Sequence, residues 1–285
     1  MGCLLLLCSC SSRRYLSEDE YLLDKISITS DTTKLNTSSL QGYVRQQPNS
    51  RWVSLVKFPL GIYLLSSPGS NSSFNKFLRR MGEAPVVYDT LLSSRSRQLI
   101  RDAMFNMGYL HARVSTQEKY DGYKVRVNYQ LHPGKRFIVS GIDMDIRDTA
   151  VAREMERIAE HSLLSVGMPF DANVRNNERS RITSHMNDNG YYSFHRDFIS
   201  YEVDTVSGSD KVHVRMVVSP RTDASSGVSQ MHQLYRVGDV CFTYDRSTGS
   251  PIWFRQSVLD KANSLVSGNI YRESDLSDTY SRINS

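Results

Sequence analysis

The clearest pattern in the chain is a strict alternation of apolar and polar residues at positions 123–131. Such a run is typical of a β-strand that buries one face and exposes the other to water. With residues 110–118 and a turn at 120–122, it predicts a β-hairpin. A second hairpin is predicted at 192–218, with its turn at 207–210, and single strands are predicted at 22–28, 138–146 and 235–244. The expected inward residues of the first two single strands are Leu22, Ile26, Ile28, Ile138, Ile142, Met144 and Ile146.

Helical periodicity, with apolar residues three and four positions apart, precedes each hairpin. Helices are predicted at 35–46, between residue 90 or 93 and residue 108, and at 150–164, 171–189 and 254–266. The residues expected to be buried in the first two are Leu40, Tyr43, Val44, Leu92, Leu99, Ile100, Ala103 and Met104. The order strand, helix, helix, strand, strand therefore occurs twice. Two helices on one face of a small sheet is an α+β fold.

A sequence motif recurs around the second helix of each repeat. In the first copy Tyr88-Asp89 precedes the helix and Gly108-Tyr109 follows it; in the second copy the pairs are Phe170-Asp171 and Gly190-Tyr191. The aromatic residue and the final Tyr are 21 positions apart in both copies. A third copy begins at 268–271, and the sequence ends at Ser285 before a third Gly-Tyr pair. Self-similarity of this kind is typical of an array of like modules.

The polar residues of this motif have structural explanations. Asp89 and Asp171 stand where an Asp caps a helix N-terminus, which we favour over a pair of catalytic carboxylates. Gly108 and Gly190 stand where a Gly ends a helix with a positive φ. The sequence contains no nucleophile elbow, His-Glu-x-x-His helix or phosphate-binding loop, and its seven His residues are scattered. We therefore expect a protein that is not an enzyme and has no cofactor and no metal site.

Charge and cysteine content narrow the function further. The net charge of +5 is dispersed without a basic stripe, so no nucleic-acid partner is expected. The first ten residues hold three of the four cysteines and an apolar run that ends in Leu7-Cys8-Ser9-Cys10. This segment resembles a bacterial lipobox and predicts lipid attachment at Cys10. The alternative, acylation of Gly2 and Cys3, is disfavoured because Leu6 stands where Ser or Thr is expected.

These patterns divide the chain into five parts. Residues 1–21 form a lipoprotein signal and tether, 22–134 a first module with an insertion at 51–81, and 135–220 a second module. Residues 221–232 are a linker by composition, and 233–285 form a partial, truncated third module.

Several motifs, taken in order, resemble a known family. They are Arg45-Gln46-Gln47-Pro48-Asn49, residues 82–89, Asn106-Met107-Gly108-Tyr109 and residues 189–194. The chain resembles tandem POTRA (polypeptide-transport-associated) domains, and more closely the Bacteroidetes lipoprotein branch of the BamA/TamA superfamily, called TamL. The residues that carry the structural motif are Gly82, Pro85, Tyr88, Asp89, Gly108, Tyr109, Phe170, Asp171, Gly190 and Tyr191.

The resemblance implies a periplasmic scaffold at the outer membrane of a bacterial cell envelope. Its partners would be unfolded or extended outer-membrane client proteins, other envelope assembly proteins, and the membrane, through the lipid on Cys10 and a C-terminal barrel beyond this sequence. Clients would add a strand to a free sheet edge. Alternatives are a stand-alone interaction module of the cell-division type and, less favoured, a lipoprotein hydrolase. The candidate edge residues, within 110–118 and 192–203, are Leu110, Ala112, Val114, Tyr192, Phe194 and Phe198.

Overall fold

The computed structural model describes residues 12–51, 58–205, 208–222, 227–243 and 255–284. Cys10 lies outside these ranges, as does residue 207 of the predicted second turn. The chain divides into two compact units, Met1–Arg136 and Phe137–Ser285. The division falls two residues after the sequence-based boundary between the first two modules.

The first unit is a three-stranded sheet covered on one face by helices. The strands occur in the order β1 (Leu22–Ser30), β3 (Lys124–His132) and β2 (Arg113–Asp121). The central strand β3 is parallel to β1 and antiparallel to β2. Strand, helix, helix, strand and strand follow one another as predicted, with two additional short helices inserted before the long one. The elements are β1 (Leu22–Ser30), a 3₁₀ helix (Thr37–Tyr43), α1 (Phe58–Leu64), α2 (Ser73–Met81), α3 (Thr90–Asn106), β2 (Arg113–Asp121) and β3 (Lys124–His132).

The alternation in β3 produces the core of this unit. Val125, Val127, Tyr129 and Leu131 are all buried, and they pack against Ile100, Ala103 and Met104 of α3. The predicted helix face is wrong at its N-terminal end, where Ser93 and Ser96 are buried and Leu92 and Leu99 are only partly so. Both serines are tolerated there because their hydroxyls are hydrogen-bonded. The Tyr129 hydroxyl contacts Ser93 Oγ at 3.2 Å, and Ser96 Oγ donates to the Leu92 carbonyl at 2.7 Å.

The predicted inward face of β1 is correct at Ile26 and Ile28 and wrong at Leu22. A β-bulge between Leu23 and Lys25 inserts one extra residue, so Leu23 joins Ile26 and Ile28 on the core face. Leu22 instead packs with α1 in a separate cluster. A bulge of this kind reverses the side-chain parity of a strand, which simple alternation does not show. Tyr43, predicted to be buried, is 38% exposed at the end of the 3₁₀ helix.

The second unit repeats the first without the insertion. Its sheet has the order β4 (Ile138–Ile146), β6 (Lys211–Val218) and β5 (Ile199–Thr205), with β6 in the centre. The helix α5 (Ala172–Asp188) contributes Ile182 and Met186 to the core. The elements are β4 (Ile138–Ile146), α4 (Thr149–Arg157), a 3₁₀ turn (Ala159–His161), α5 (Ala172–Asp188), a 3₁₀ turn (Arg196–Phe198), β5 (Ile199–Thr205), β6 (Lys211–Val218), β7 (Arg221–Thr222), β8 (Ser229–Gln230), α6 (Gln256–Ala262) and α7 (Glu273–Asn284).

Three predictions for this unit need correction. A bulge at Ser140 buries Val139, while Met144 is 48% exposed. The segment predicted as a linker contains the hairpin β7-β8 and then His232, which is 7% exposed. The strand predicted at 235–244 forms only a single bridge, from Arg236 to Ile270. Among the described residues, no central strand lies beside it as β3 lies beside β1, and a strand requires such a partner.

Candidate functional site

The recurring motif pairs with the start of one edge strand in each three-stranded sheet. In the first unit, Leu23 N–H donates to the Val86 carbonyl and Tyr88 N–H donates to the Tyr21 carbonyl, both at 2.8 Å. The second unit has the same pair of bonds at 2.9 Å, and residues 235–237 and 268–271 form a third example. In the second repeat the Val139 N–H donates to the Met168 carbonyl and the Phe170 N–H to the Phe137 carbonyl. In the third, the Val237 N–H donates to the Asn269 carbonyl and the Tyr271 N–H to the Tyr235 carbonyl. The start of β1, the start of β4 and residues 235–237 are therefore each paired with the motif segment of the same repeat.

Side-chain amides cover the other side of this segment in the first unit. Gln46 Nε2 donates to the Val87 carbonyl at 2.5 Å, and Gln46 Oε1 accepts the Asp89 N–H at 3.1 Å. Asn49 is 2% exposed and makes a similar pair of bonds, which we call an amide bracket. Its Nδ2 donates to the Ala84 carbonyl at 2.7 Å, and its Oδ1 accepts the Val86 N–H at 3.1 Å. The two motifs that carry the family resemblance thus contact each other directly. The contact joins residues 35 to 43 positions apart, so the sequence pattern alone does not show it.

Gly82 and Pro85 shape the approach to this segment. Gly82 N–H donates to the Leu78 carbonyl at 2.9 Å and ends α2. A Cβ at Gly82 would lie 2.4 Å from the Tyr63 backbone nitrogen, so only glycine fits. Pro85 lies between the two residues bracketed by Asn49 and has no N–H that would need a partner.

The two aspartates cap the helices that follow. Asp89 Oδ1 accepts the N–H groups of Leu91 and Leu92 at 2.7 and 3.1 Å. Asp171 Oδ1 accepts the Asn173 N–H at 2.8 Å. Both carboxylates satisfy backbone donors that a helix N-terminus leaves unpaired.

The Gly-Tyr pairs end the same helices. Gly108 and Gly190 both have φ of +93°. The following N–H groups, of Tyr109 and Tyr191, donate to helix carbonyls at 3.0 Å, and both rings are buried. Each tyrosine therefore belongs to the core of its unit.

Most of the candidate edge residues do not lie on an edge strand. After Tyr109 the chain makes a turn, in which Ala112 N–H donates to the Tyr109 carbonyl at 3.0 Å, so Leu110 and Ala112 precede β2. Only Val114 lies within a strand. Tyr192, Phe194 and Phe198 likewise precede β5. The chain needs these turns to redirect from the helix axis to the strand direction.

Phe194 shows why the alternation of apolar and polar residues after Tyr191 does not mark an edge strand. Its ring is fully buried and packs against Phe198 and His232, at centroid distances of 5.7 and 4.9 Å. His232 is held in turn by Asp148, whose Oδ2 accepts the His232 N–H at 2.8 Å. Phe194 is therefore a core anchor of the turn and does not face a client.

β2 and β5 are the open edges. In an antiparallel edge strand, alternate N–H and C=O groups point away from the neighbour. Along Arg113–Asp121 and Ile199–Thr205, the backbone pairs with β3 and β6, respectively, within the part of the chain that the structure describes. The one exception there is the Ile199 N–H, which donates to the Arg196 carbonyl of the preceding turn. These strands are nine and seven residues long. Each unit thus has one edge whose start is paired with the motif segment and one edge that this segment leaves open.

A tyrosine-carboxylate cluster lies at one end of β2. The Tyr120 hydroxyl donates to Glu118 at 2.6 Å, and the Tyr88 hydroxyl donates to the same carboxylate. The hydrogen bond to Glu118 and partial burial raise the pKa of Tyr120 to about 12. Burial, together with the bond to Glu118, raises the pKa of Tyr88 further. Both phenols are protonated at neutral pH and act as hydrogen-bond donors. The Tyr88 bond joins the motif segment to β2, whereas the Tyr120 bond lies within β2.

The described ranges contain neither a candidate metal site nor a candidate membrane-spanning helix. No group of three or more His, Cys, Asp or Glu residues there is arranged to hold a metal ion. No helix in the same residues combines the length and apolar character needed to cross a membrane.

Solved structures similar to this chain include three from BamA and Omp85 proteins. Haemophilus influenzae BamA POTRA domains 3 to 5 share 16% identity over 94% of this chain and 87% of that chain, with a TM-score of 0.46. The N-terminal domain of Omp85 from Thermosynechococcus elongatus shares 12% over 94% and 86%, with a TM-score of 0.33. Haemophilus ducreyi BamA lacking POTRA domains 1–3 shares 18% over 71% and 30%, with a TM-score of 0.37. The sequence matches no protein-family model and no curated protein.

Proposed function

We propose that this chain is a periplasmic, POTRA-type scaffold of an outer-membrane protein assembly or translocation factor of the TamL-like lipoprotein branch. It binds extended client or partner polypeptide by strand addition along β2 and β5. The observation that carries the proposal is the asymmetry of each sheet, in which the motif occupies the start of one edge and nothing in the described chain pairs with the other.

The physical basis is the row of unpaired main-chain groups on each open edge. A client strand that aligns with β2 satisfies its own N–H and C=O groups and those of the edge at the same time. Nine residues of strand span about 30 Å. Since the bonds involve backbone atoms, they demand little of the client sequence, as suits a factor that handles many unfolded proteins.

The side chains on the open edges modify this general affinity. The exposed charges on β2 balance, since Arg113 and Lys119 are accompanied by Glu118 and Asp121. Those on β5 are acidic, Glu202 and Asp204. Glu202 is 3.5 Å from Arg215 of β6. Opposite charges directly across a strand pair are favourable and like charges are not. We therefore expect the two edges to prefer client segments of different charge.

Photo-crosslinking tests the edge assignment. The probe is a ten-residue peptide of alternating apolar and polar residues, and the crosslinking amino acid replaces Gln117 on β2 or Ser200 on β5. Matched controls carry it at Arg97 on α3 and Asn176 on α5, which face solvent on the helical side. Labelling at the strand positions should exceed labelling at the helix positions at least about fivefold, and equal labelling would contradict strand addition.

Lipid attachment at Cys10 is a separate part of the proposal. Ser12, the first described residue, is 3% exposed, so the chain is already held against the first unit two positions after Cys10. Acylation would therefore place that unit close to the membrane surface. Mass spectrometry of the protein from a bacterial envelope should show a diacylated or triacylated N-terminal Cys10, and C10S should abolish the lipid and release the protein into the soluble fraction.

A further inference from the structure

The insertion helices α1 and α2 expose an unusual amount of apolar surface. Five large side chains between residues 58 and 81 are each more than half exposed, and we call them the insertion patch. On α2 three of them occur three and four positions apart and therefore form one stripe along the helix. The patch consists of Phe58, Leu65, Phe74, Phe77 and Met81.

Other side chains, which are buried, hold the insertion in place. Leu60, Leu64 and Leu78 are the buried residues of α1 and α2, and the first two pack with Leu22 of the sheet. The Glu83 N–H also donates to the Pro59 carbonyl at 3.0 Å, which ties the end of the insertion to its start. The insertion is thus anchored by one face and presents the patch on another.

Charge distinguishes the kind of surface that the patch fits. Residues 58–81 contain Lys76, Arg79 and Arg80 and no Asp or Glu. Lys76 and Arg80 are exposed four positions apart on α2, beside the apolar stripe. A short amphipathic helix with phenylalanines on one face and only basic charges on the other is the composition that binds an anionic lipid interface.

The N-terminal segment lies against the same insertion. The Tyr15 hydroxyl donates to the Ser66 carbonyl at 2.5 Å, and the Tyr15 and Tyr63 rings are 5.3 Å apart. Arg13 and Arg14, which precede Tyr15, are exposed and add two more positive charges. A chain anchored at its N-terminus would therefore bring α1 and α2 to the bilayer first.

We propose that the insertion patch docks on the surface of a lipid bilayer containing anionic headgroups. Phe74, Phe77 and Met81 enter the boundary between headgroups and acyl chains, while Lys76 and Arg80 contact the headgroups. This surface is distinct from the open edges and goes beyond the proposed client binding. The first unit then contacts the membrane directly as well as through a lipid on Cys10.

Site-specific fluorescence tests the docking. The full 285-residue chain carrying F77W is mixed with vesicles of phosphatidylethanolamine and phosphatidylglycerol that contain brominated acyl chains, which quench nearby tryptophan. The matched control is F105W on α3, where Phe105 is 51% exposed in the same unit. We expect blue-shifted, quenched emission for F77W beyond the background of Trp52 and Trp253, and no such change for F105W. Equal responses would overturn the proposal.

Vesicle co-sedimentation provides a second, independent measurement. The double variant F74S/F77S should lower the partition coefficient about tenfold or more, since two exposed rings lose their apolar environment, whereas F105S should leave it unchanged. K76E/R80E should weaken binding to anionic vesicles and leave binding to phosphatidylcholine vesicles unaffected. Unchanged partitioning in every variant would overturn the proposal. Protection of the insertion patch by a protein partner, with no protection by vesicles, would also overturn it. Neither outcome affects client crosslinking at Gln117.

Discussion

The Tyr235 N–H donates a hydrogen bond to the Gly190 carbonyl at 2.7 Å. This bond joins the Gly-Tyr pair of the second module to the start of the third, within one compact unit. The ring of Tyr192 adds to the joint, with centroids 5.8 Å from Tyr235 and 5.0 Å from Tyr271. Asp188 Oδ1 also accepts the Ser274 N–H at 2.8 Å, at the start of α7. The Gly-Tyr pair ends a helix in both modules. In the second module its glycine also binds the segment that begins the third repeat.

A glycine comparison tests this joint. Gly190 and Gly167 have φ of +93° and +90°, so alanine is strained at both, by about 1–2 kcal/mol. A Cβ at Gly190 would also lie 2.8 Å from side-chain atoms of Ile270 and Leu234, whereas nothing lies within 4 Å at Gly167. We expect G190A to lower the free energy of unfolding by about 1–2 kcal/mol more than G167A in urea titrations. Equal losses of unfolding free energy in G190A and G167A would mean that Ile270 and Leu234 move aside without an energetic penalty, and would contradict a tightly packed joint.

The amide bracket in the first unit predicts a specific loss of stability. Q46L removes the partners of the Val87 carbonyl and the Asp89 N–H, and leaving such groups unpaired costs about 1–3 kcal/mol. The control Q47L changes a neighbouring exposed side chain and should stay within about 0.5 kcal/mol of the wild type. Thermal unfolding of both variants measures the difference, and similar melting temperatures for the two would refute the bracket.

Asp148 should matter more than the other helix caps. Its Oδ1 accepts the Ala150 N–H at 2.9 Å while its Oδ2 holds the buried N–H of His232. D148A removes a cap, worth about 1 kcal/mol, and also leaves that buried donor unpaired, which costs about 1–3 kcal/mol more. D89A removes only a cap. Urea unfolding should therefore show a loss of about 1 kcal/mol for D89A and about 2–4 kcal/mol for D148A, and the reverse order would exclude the second role.

Glu178 makes stability depend on pH. Its side chain is 2% exposed. Burial alone would raise its pKa, but hydrogen bonds from Arg181, the Leu163 N–H and the Ser162 hydroxyl outweigh burial and hold the pKa below its usual value. A carboxyl with a lowered folded-state pKa stabilises the fold above its unfolded pKa of about 4.3, and this contribution is lost as pH falls through the folded pKa.

The matching experiment follows unfolding of E178Q from pH 7 to pH 3. The variant should be about 2–4 kcal/mol less stable than the wild type at pH 7, because Arg181 loses its buried partner. The gap should narrow below about pH 4 as Glu178 in the wild type takes up a proton. E156Q, at an exposed position of α4, should show no such trend. A gap that stays constant with pH would contradict the sign of the shift.

Much of the fold follows from short-range pattern. The alternation in β3 depends only on which side of one strand is buried, so Val125, Val127, Tyr129 and Leu131 were predicted to face the core and do so. The positive φ at Gly108 and the cap at Asp89 depend on neighbours a few residues away.

The remaining features depend on distant partners or on one-residue shifts. The bulges at Asp24 and Ser140 invert side-chain parity within a run that is apolar on both sides, so Leu22 and Leu23 could not be told apart. The burial of Ser96 follows from a bond with the Arg45 N–H, 51 positions away. Tyr192-Ser193-Phe194 alternates like a strand, yet it forms the turn before β5 because Phe194 anchors the core.

The central claim is that β2 and β5 accept an added strand, and amide hydrogen exchange of the full chain with and without the alternating peptide tests it most directly. The outward-facing amides within Arg113–Asp121 and Ile199–Thr205 should exchange rapidly in the free protein and become protected by at least about tenfold at saturating peptide, while exposed positions of α3 and α5 stay unchanged. Peptide binding that protects the helices, or that leaves both edge strands unprotected, would contradict the account.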